Sequence, residues 1–156
     1  MTTTTNSFTA SGGAAYMSNR MDWETPTDLF DRLDAEFHFT LDAASSETNH
    51  KCPKYYTVED SAFDHEWTGE TVFCNPPYGR AIADWVRKCS MEASRENTTV
   101  VMLIPARTDT RWFHQYILGH AEIRFLKGRL RFETDGVPGG PAPFPSMVVV
   151  MRSNEK

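Results

Sequence analysis

The chain has little cysteine: Cys52, Cys74 and Cys89 are the three in 156 residues. Their number is odd and none stand at Cys-x-x-Cys spacing, which argues against a disulfide framework or a thiolate zinc site. Reduced thiols in a cytoplasm are expected, and no metal. The one pairing of ligand types, His50 near Cys52, reads as surface-loop residues. Long apolar runs are missing too. None approaches the ~20 residues of a membrane span, so no membrane association is expected. The N-terminal stretch is rich in Thr, Ser and Gly and lacks the charged-then-apolar order of a secretory leader, so nothing argues for export. There are no internal repeats. Net positive charge is also lacking: the balance is −5, which excludes a generic nucleic-acid coat.

That charge is unevenly spread. Residues 1–75 hold 4 Lys/Arg against 13 Asp/Glu, whereas residues 76–156 hold 12 against 8. Six basic residues (Arg107, Arg111, Arg124, Lys127, Arg129, Arg131) fall within 105–131, against Asp109 and Glu122. Polyanion contact, if the pattern is more than a solvated face, belongs in the second half.

The length suits one domain with its own core. Residues 1–18 read as a disordered tail and 19–156 as a single folded domain. A helix is predicted from Thr25-Pro26, with Thr25 as cap, Pro26 at the first helical position and Asp28 in a capping box. Leu29, Phe30, Leu33 and Phe37 continue it at helical spacing. Phe39–Ala44 reads as a short strand, 45–70 as irregular with a strand fragment at Lys54–Thr57, and Thr71–Cys74 as a strand. Ile82, Trp85, Val86, Cys89 and Ala93 make one apolar helical stripe. Val100–Ile104 is a strand buried on both faces. A helix over about Asp109–Leu118, strands at Ile123–Leu126 and Leu130–Phe132, a Gly/Pro-rich loop from Gly136 to Pro145 and a final strand Met147–Met151 complete the pattern. Alternating strands and helices argue for an α/β sheet, and the long loop before the last strand suggests an antiparallel edge.

The densest chemistry is Asn75-Pro76-Pro77-Tyr78, directly after a strand. Each proline pushes its predecessor out of the helical region and donates no N–H, so the strand exit is stiff and its carbonyls are free. In open α/β sheets ligands sit beyond the carboxyl ends of strands. There the Asn75 side-chain oxygen and the Pro76 carbonyl can each accept one N–H from a planar amino group. Two such bonds favour a more tetrahedral nitrogen whose lone pair points at an electrophile. No strong base is needed, because the proton can leave after transfer. Tyr78 offers a ring on which a base can stack. The bland reading is a proline-rich turn with a packed tyrosine.

Asn75-Pro76-Pro77-Tyr78 resembles the catalytic motif of amino methyltransferases that use S-adenosylmethionine. Trp23-Glu24-Thr25-Pro26, Leu41-Asp42-Ala43-Ala44, Phe73-Cys74 leading into the tetrapeptide and Gly79, Leu103-Ile104-Pro105-Ala106-Arg107 and Gly128-Arg129-Leu130-Arg131-Phe132 extend the likeness. Together they resemble the small phage-type DNA N6-adenine methyltransferases, the Dam-like family, from about Asp22 to Met151. The resemblance implies a reduced Rossmann-like α/β fold, mostly parallel with an antiparallel edge strand, and methylation of adenine N6 in double-stranded DNA in a bacterial host cytoplasm. It implies Asn75, Pro76, Pro77 and Tyr78 as catalytic. It places Thr25 and Pro26 at the methionine end of the cofactor, Trp23 among the cofactor-binding residues, Asp42 near the cofactor, and Asp60 on the cofactor's adenine amino group. As plain residues, Thr25-Pro26 is a capped helix and the two aspartates are surface or turn carboxylates.

Two features depart from the family pattern. No glycine follows Asp42 until Gly69, where such enzymes place a glycine-rich turn. Residues 45–70 are also too few for two further strand–helix units, so the sheet is reduced and the ribose-binding acid is unassigned. Contacts to flipped-out DNA fall to Arg107, Arg111, Lys127, Arg129, Phe144 and Ser146, since no room remains for a separate recognition domain. Asp109 and Thr110 sit beside Arg107 as either substrate contacts or a helix cap. The same chemistry on an RNA adenine, a cytosine N4 or a glutamine side chain is an alternative reading. A catalytically inactive nucleic-acid-binding relative is another.

Overall fold

The apolar runs decide the centre of the molecule. In the computed structural model, which describes residues 23–153, Thr99–Pro105 (β3) and Ser146–Arg152 (β7) lie side by side, antiparallel, with Val101 opposite Val150. Both are buried along nearly their whole length, because each has a strand on either side and a layer on either face. Leu41–Asp42 (β1) and Thr71–Cys74 (β2) continue the sheet in parallel from β3, and Glu122–Phe125 (β4) closes the other side. The order is β1-β2-β3-β7-β4. Four of the five strands point the same way. The antiparallel strand was expected at an edge; it lies inside, between β3 and β4, as a strand apolar on both faces must.

Side chains alternate across this sheet and feed two cores. Val72, Cys74, Val100, Met102, Ile104, Met147 and Val149 face Ile82, Val86 and Cys89 of the helix Ile82–Ala93 (α2). Phe73, Val101, Leu103, Val148 and Val150 face Leu29, Phe30 and Leu33 of the helix Thr27–Phe37 (α1). Each such buried side chain contributes about 1.5–3 kcal/mol. Cys52, expected on a surface loop, is buried in the α1-side core, and none of the three cysteines is disulfide-bonded.

Several boundaries move. α1 begins at Thr27 with Pro26 at its cap position and no local side-chain cap. The Asp109–Leu118 segment forms a short π-helical turn, Phe113–Ile117, with the Thr110 hydroxyl accepting from the Phe113 N–H. Leu130–Phe132 is not a strand. Pairing starts one residue later, where Glu133–Thr134 (β5) and Val137–Pro138 (β6) form a hairpin whose second strand lies inside the stretch read as a loop. Its turn residues Asp135 and Gly136 both have positive φ, 52° and 81°, the geometry that makes Asp-Gly a tight-hairpin pair. The tail assigned to 1–18 lies outside the described residues. Among the described residues no helix is long and apolar enough to cross a membrane.

Candidate active site

Asn75 leaves the carboxyl end of β2, and its carboxamide is held from both ends. Nδ2 donates to the Trp23 carbonyl at 2.8 Å and to Thr25 Oγ1 at 3.0 Å. Oδ1 accepts from the Tyr78 hydroxyl at 2.7 Å, which also lies 3.1 Å from the Leu103 carbonyl. A carboxamide whose two N–H groups meet two acceptors has its oxygen direction fixed. The Tyr78 ring is set by the edges of Phe144 and Phe132, at 5.6 and 6.2 Å between centroids. Both of those rings also meet Trp23, at 5.4 and 5.2 Å.

Beside Asn75 opens a cavity of about 710 Å³. Its wall combines Asn75-Pro76-Pro77 with Trp23, Thr25 and Asp42, so the structure brings together most of the residues singled out in the sequence. The turn after β1 replaces glycine with a side-chain device. Asp42 Oδ2 accepts from the Lys51 N–H at 2.8 Å and Oδ1 from the Ala44 N–H at 3.4 Å, so the carboxylate closes the 43–51 loop around itself. Burial pushes its carboxyl up to about 6, against the lowering pull of those two N–H groups and of nearby His50 and Lys51. Glu24, Asp42 and Asp135 also line the cavity, against one cation, Lys51.

The segment Ser61-Ala62-Phe63 also lines the cavity, with Trp85 packed edge-on to Phe63 at 4.8 Å. Glu92, fully buried on α2, anchors the residues just beyond it. Its carboxylate accepts from the Trp67 N–H at 2.7 Å, from Lys88 Nζ at 2.8 Å and from Arg95 Nε at 2.8 Å. Lys88 in turn donates to the His65 carbonyl. Burial acts to raise the Glu92 carboxyl, but Lys88, the Trp67 N–H and Arg95 outweigh it and hold it below the ordinary range.

Other expected residues fall elsewhere. Asp60 points outward and pairs with His65 at 2.6 Å, so it is not in the cavity wall. Pro26 sits at the α1 cap without lining the cavity. Phe144, expected on an open loop, is half-buried in the Trp23–Tyr78 aromatic cluster. Ser146 is buried in β7, opposite Pro105, and its Oγ has no hydrogen-bond partner among the described residues; burial removes it from a DNA-facing surface. Arg107, Arg111, Lys127 and Arg129 are exposed, and among the described residues they form no ion pair. Arg129 and Arg131 reach the Ala142 and Gly139 carbonyls, each at 3.3 Å. Arg124 leaves this group, since it clasps Glu36 and Glu122.

The residue that the sequence reading passed over is Glu133. It is buried, and its carboxylate accepts from both the N–H and the hydroxyl of Thr27, at 2.9 and 2.8 Å. The first turn of α1, where the methionine end of the cofactor was expected, therefore already faces a protein carboxylate. The hairpin that follows carries Thr134 and Asp135 to the lip of the cavity. Thr134-Asp135-Gly136-Val137 was the available signal for that hairpin.

The sequence profile of the DNA N-6-adenine-methyltransferase (Dam) family matches residues 14–155. The chain belongs to this family. A DNA N-6-adenine-methyltransferase of Escherichia phage T1 is 34% identical over 116 residues, covering 73% of this chain and 48% of the relative. One of Haemophilus phage HP1 is 30% identical over 106 residues, covering 67% of this chain and 61% of the relative. The chain thus spans about half to three-fifths of the length of these two curated relatives. Membership in this family implies a methyl donor of the S-adenosylmethionine type.

Proposed function

We propose that this chain transfers a methyl group from S-adenosylmethionine to the N6 amino group of adenine in double-stranded DNA. The observation that carries the reading is the fixed carboxamide of Asn75. Its N–H groups face Trp23 and Thr25, so its oxygen is turned to the Tyr78 hydroxyl, beside a large cavity that Asn75, Pro76 and Pro77 line and Tyr78 does not. An amino group arriving there meets Oδ1 and the Pro76 carbonyl as acceptors. Both are rigid, and neither must reorganise when positive charge develops on the nitrogen.

The cavity suits the donor. Its lining carries Glu24, Asp42 and Asp135 against Lys51, a negative balance that favours a ligand bearing a sulfonium and an ammonium. Ser45, Ser46 and Asn49 offer partners for ribose hydroxyls, and Phe63 with Trp85 offers apolar walls for a purine. S-adenosylmethionine, when bound, supplies the electrophilic methyl group. Trp23, Thr25 and Asp42 would hold it from the Asn75 side, and Asp60 could reach it only by leaving His65. The exposed Arg107, Arg111, Lys127 and Arg129 would meet phosphates. The likeness to the two phage proteins, named as DNA N-6-adenine-methyltransferases, favours DNA adenine over RNA, cytosine or glutamine acceptors. A host cytoplasm is the corresponding setting.

The test uses the purified chain with methyl-labelled cofactor and unmethylated duplex DNA, digested to nucleosides. Label should appear in N6-methyl-2′-deoxyadenosine. Asn75→Ala should abolish transfer while calorimetry still detects the cofactor. A folded wild-type protein that labels no adenine would refute the proposal.

A further inference from the structure

The proposed chemistry requires that Asn75 present its oxygen, not its nitrogen, to the incoming amino group. A free asparagine can do either. Here Trp23 O and Thr25 Oγ1 make the choice, and both lie on the strap that runs from residue 23 into α1. The strap belongs to neither helix nor main sheet, so something else must hold it. Glu133 meets it on both sides of Thr25-Pro26. On one side its backbone exchanges two hydrogen bonds with Glu24, at 3.3 and 3.0 Å. On the other its carboxylate takes the N–H and hydroxyl of Thr27. A carboxylate this buried is costly unless fully partnered. It sits where two donors and the positive end of α1 compensate it.

We infer that Glu133 is a positioning residue: through the Trp23–Thr27 strap it sets the orientation of the Asn75 carboxamide. The inference rests on the reading of Asn75 as acceptor for the amino group. It makes the β5–β6 hairpin part of the active-site frame, although its side chain touches none of the reacting atoms. An ordinary helix cap would stabilise α1 and leave Asn75 unaffected, which is where the two roles separate.

The decisive comparison is Glu133→Ala against Glu133→Gln in the full chain. A glutamine oxygen can still accept the Thr27 N–H while its amide donates to the Thr27 hydroxyl, so Glu133→Gln should keep single-turnover methyl transfer within about threefold of wild type. Glu133→Ala should slow it about a hundredfold with cofactor and DNA both saturating, the scale of an ångström-level misplacement. Independently of activity, the side-chain amide ¹⁵N–¹H signals of Asn75 should move in Glu133→Ala and return in Glu133→Gln. Unmoved Asn75 signals, or a Glu133→Ala single-turnover rate with both substrates saturating that stays within about threefold of wild type, would overturn the inference. If Glu133→Ala does not fold, Thr27→Val removes one of the carboxylate's donors and must shift the same signals. A wild-type protein that methylates no adenine would fail the proposed function alone, because the amide signals still decide the role of Glu133.

Discussion

The Tyr78 hydroxyl donates to Asn75 Oδ1 at 2.7 Å and so occupies the acceptor that the proposed chemistry assigns to the substrate amino group. An incoming N–H must share Oδ1 or displace the phenol, for which the Leu103 carbonyl at 3.1 Å is a ready alternative partner. The phenol is thus a placeholder that keeps Oδ1 partnered and the amide oriented between turnovers.

Tyr78 substitutions separate ring from hydroxyl. Tyr78→Phe keeps the stacking surface and frees Oδ1, so its single-turnover rate should stay within about threefold of wild type. Tyr78→Ala removes a stacking surface worth about 1–3 kcal/mol per base, a loss of roughly ten- to a hundredfold. Equal losses in the two variants, measured on the same duplex, would show that the hydroxyl is required and the placeholder account is wrong.

Asp42 predicts a pH signature. Its carboxyl is raised from 3.8 to about 6 in the folded chain, chiefly by burial. Below the unfolded value both states hold the proton and the group has no effect. As pH rises from about 4 to 6 the unfolded chain releases its proton first, so this group lowers stability across that window and its full cost stands above it. Asp42→Asn should therefore gain stability relative to wild type as pH rises from 4 to 7, by on the order of 3 kcal/mol, with a flat difference above pH 7. Urea denaturation of both proteins across pH 4–8 measures the difference. A constant offset would show that Asp42 titrates normally.

How far the sequence could be read depended on the range of the interaction. Asn75 at a strand end followed from the stereochemistry of two prolines, and β3, β7, α1 and α2 followed from apolar runs and periods, all local signals. The interior place of β7 is a choice of neighbours some 25 and 45 residues away, which alternation alone does not express. Glu133 caps a helix 106 residues upstream, so no capping box near Thr27 could reveal it. Asp60 matched a position in a family pattern and Ser146 followed a long loop, but the side of the backbone they face is set by packing: Asp60 turned out to His65, Ser146 inward from β7. The missing glycines after β1 were visible; that the Asp42 carboxylate would organise the turn instead was not, because its partner, the Lys51 N–H, is nine residues away.

Glu92 ties the cavity wall to α2, and its removal should be expensive. Glu92→Ala leaves the nearly buried Lys88 ammonium without its carboxylate and the Trp67 N–H without its acceptor. Breaking a buried pair from one side costs about 3–5 kcal/mol. For a chain of this length that is a Tm lower by roughly 10 °C. Because hydrogen bonds and Lys88 hold the Glu92 carboxyl low, its contribution is present above the ordinary carboxylate value and lost as pH falls below it. Thermal melts of Glu92→Ala and wild type should therefore converge towards acid. A difference that persists unchanged there would assign the loss to packing alone.

The exposed cations after β3 and around Gly128 predict how DNA affinity responds to salt. Arg107, Arg111, Lys127 and Arg129 have no carboxylate partner among the described residues, whereas Arg124 in the same stretch is clasped by Glu36 and Glu122. A cation already neutralised releases no counterion on binding; a free one does. Lys127→Gln should thus reduce the slope of log affinity against log salt by about 1, and Arg124→Gln should leave it unchanged. Each should act equally on unrelated duplex sequences, because phosphate contacts carry no base information. Fluorescence anisotropy with two duplexes over a salt series reads both effects. An unchanged slope in Lys127→Gln, or a sequence-dependent loss, would remove Lys127 from the phosphate-binding face and turn attention to Arg129 and Arg131, whose guanidinium groups are held by the Ala142 and Gly139 carbonyls beside the hairpin that carries Glu133.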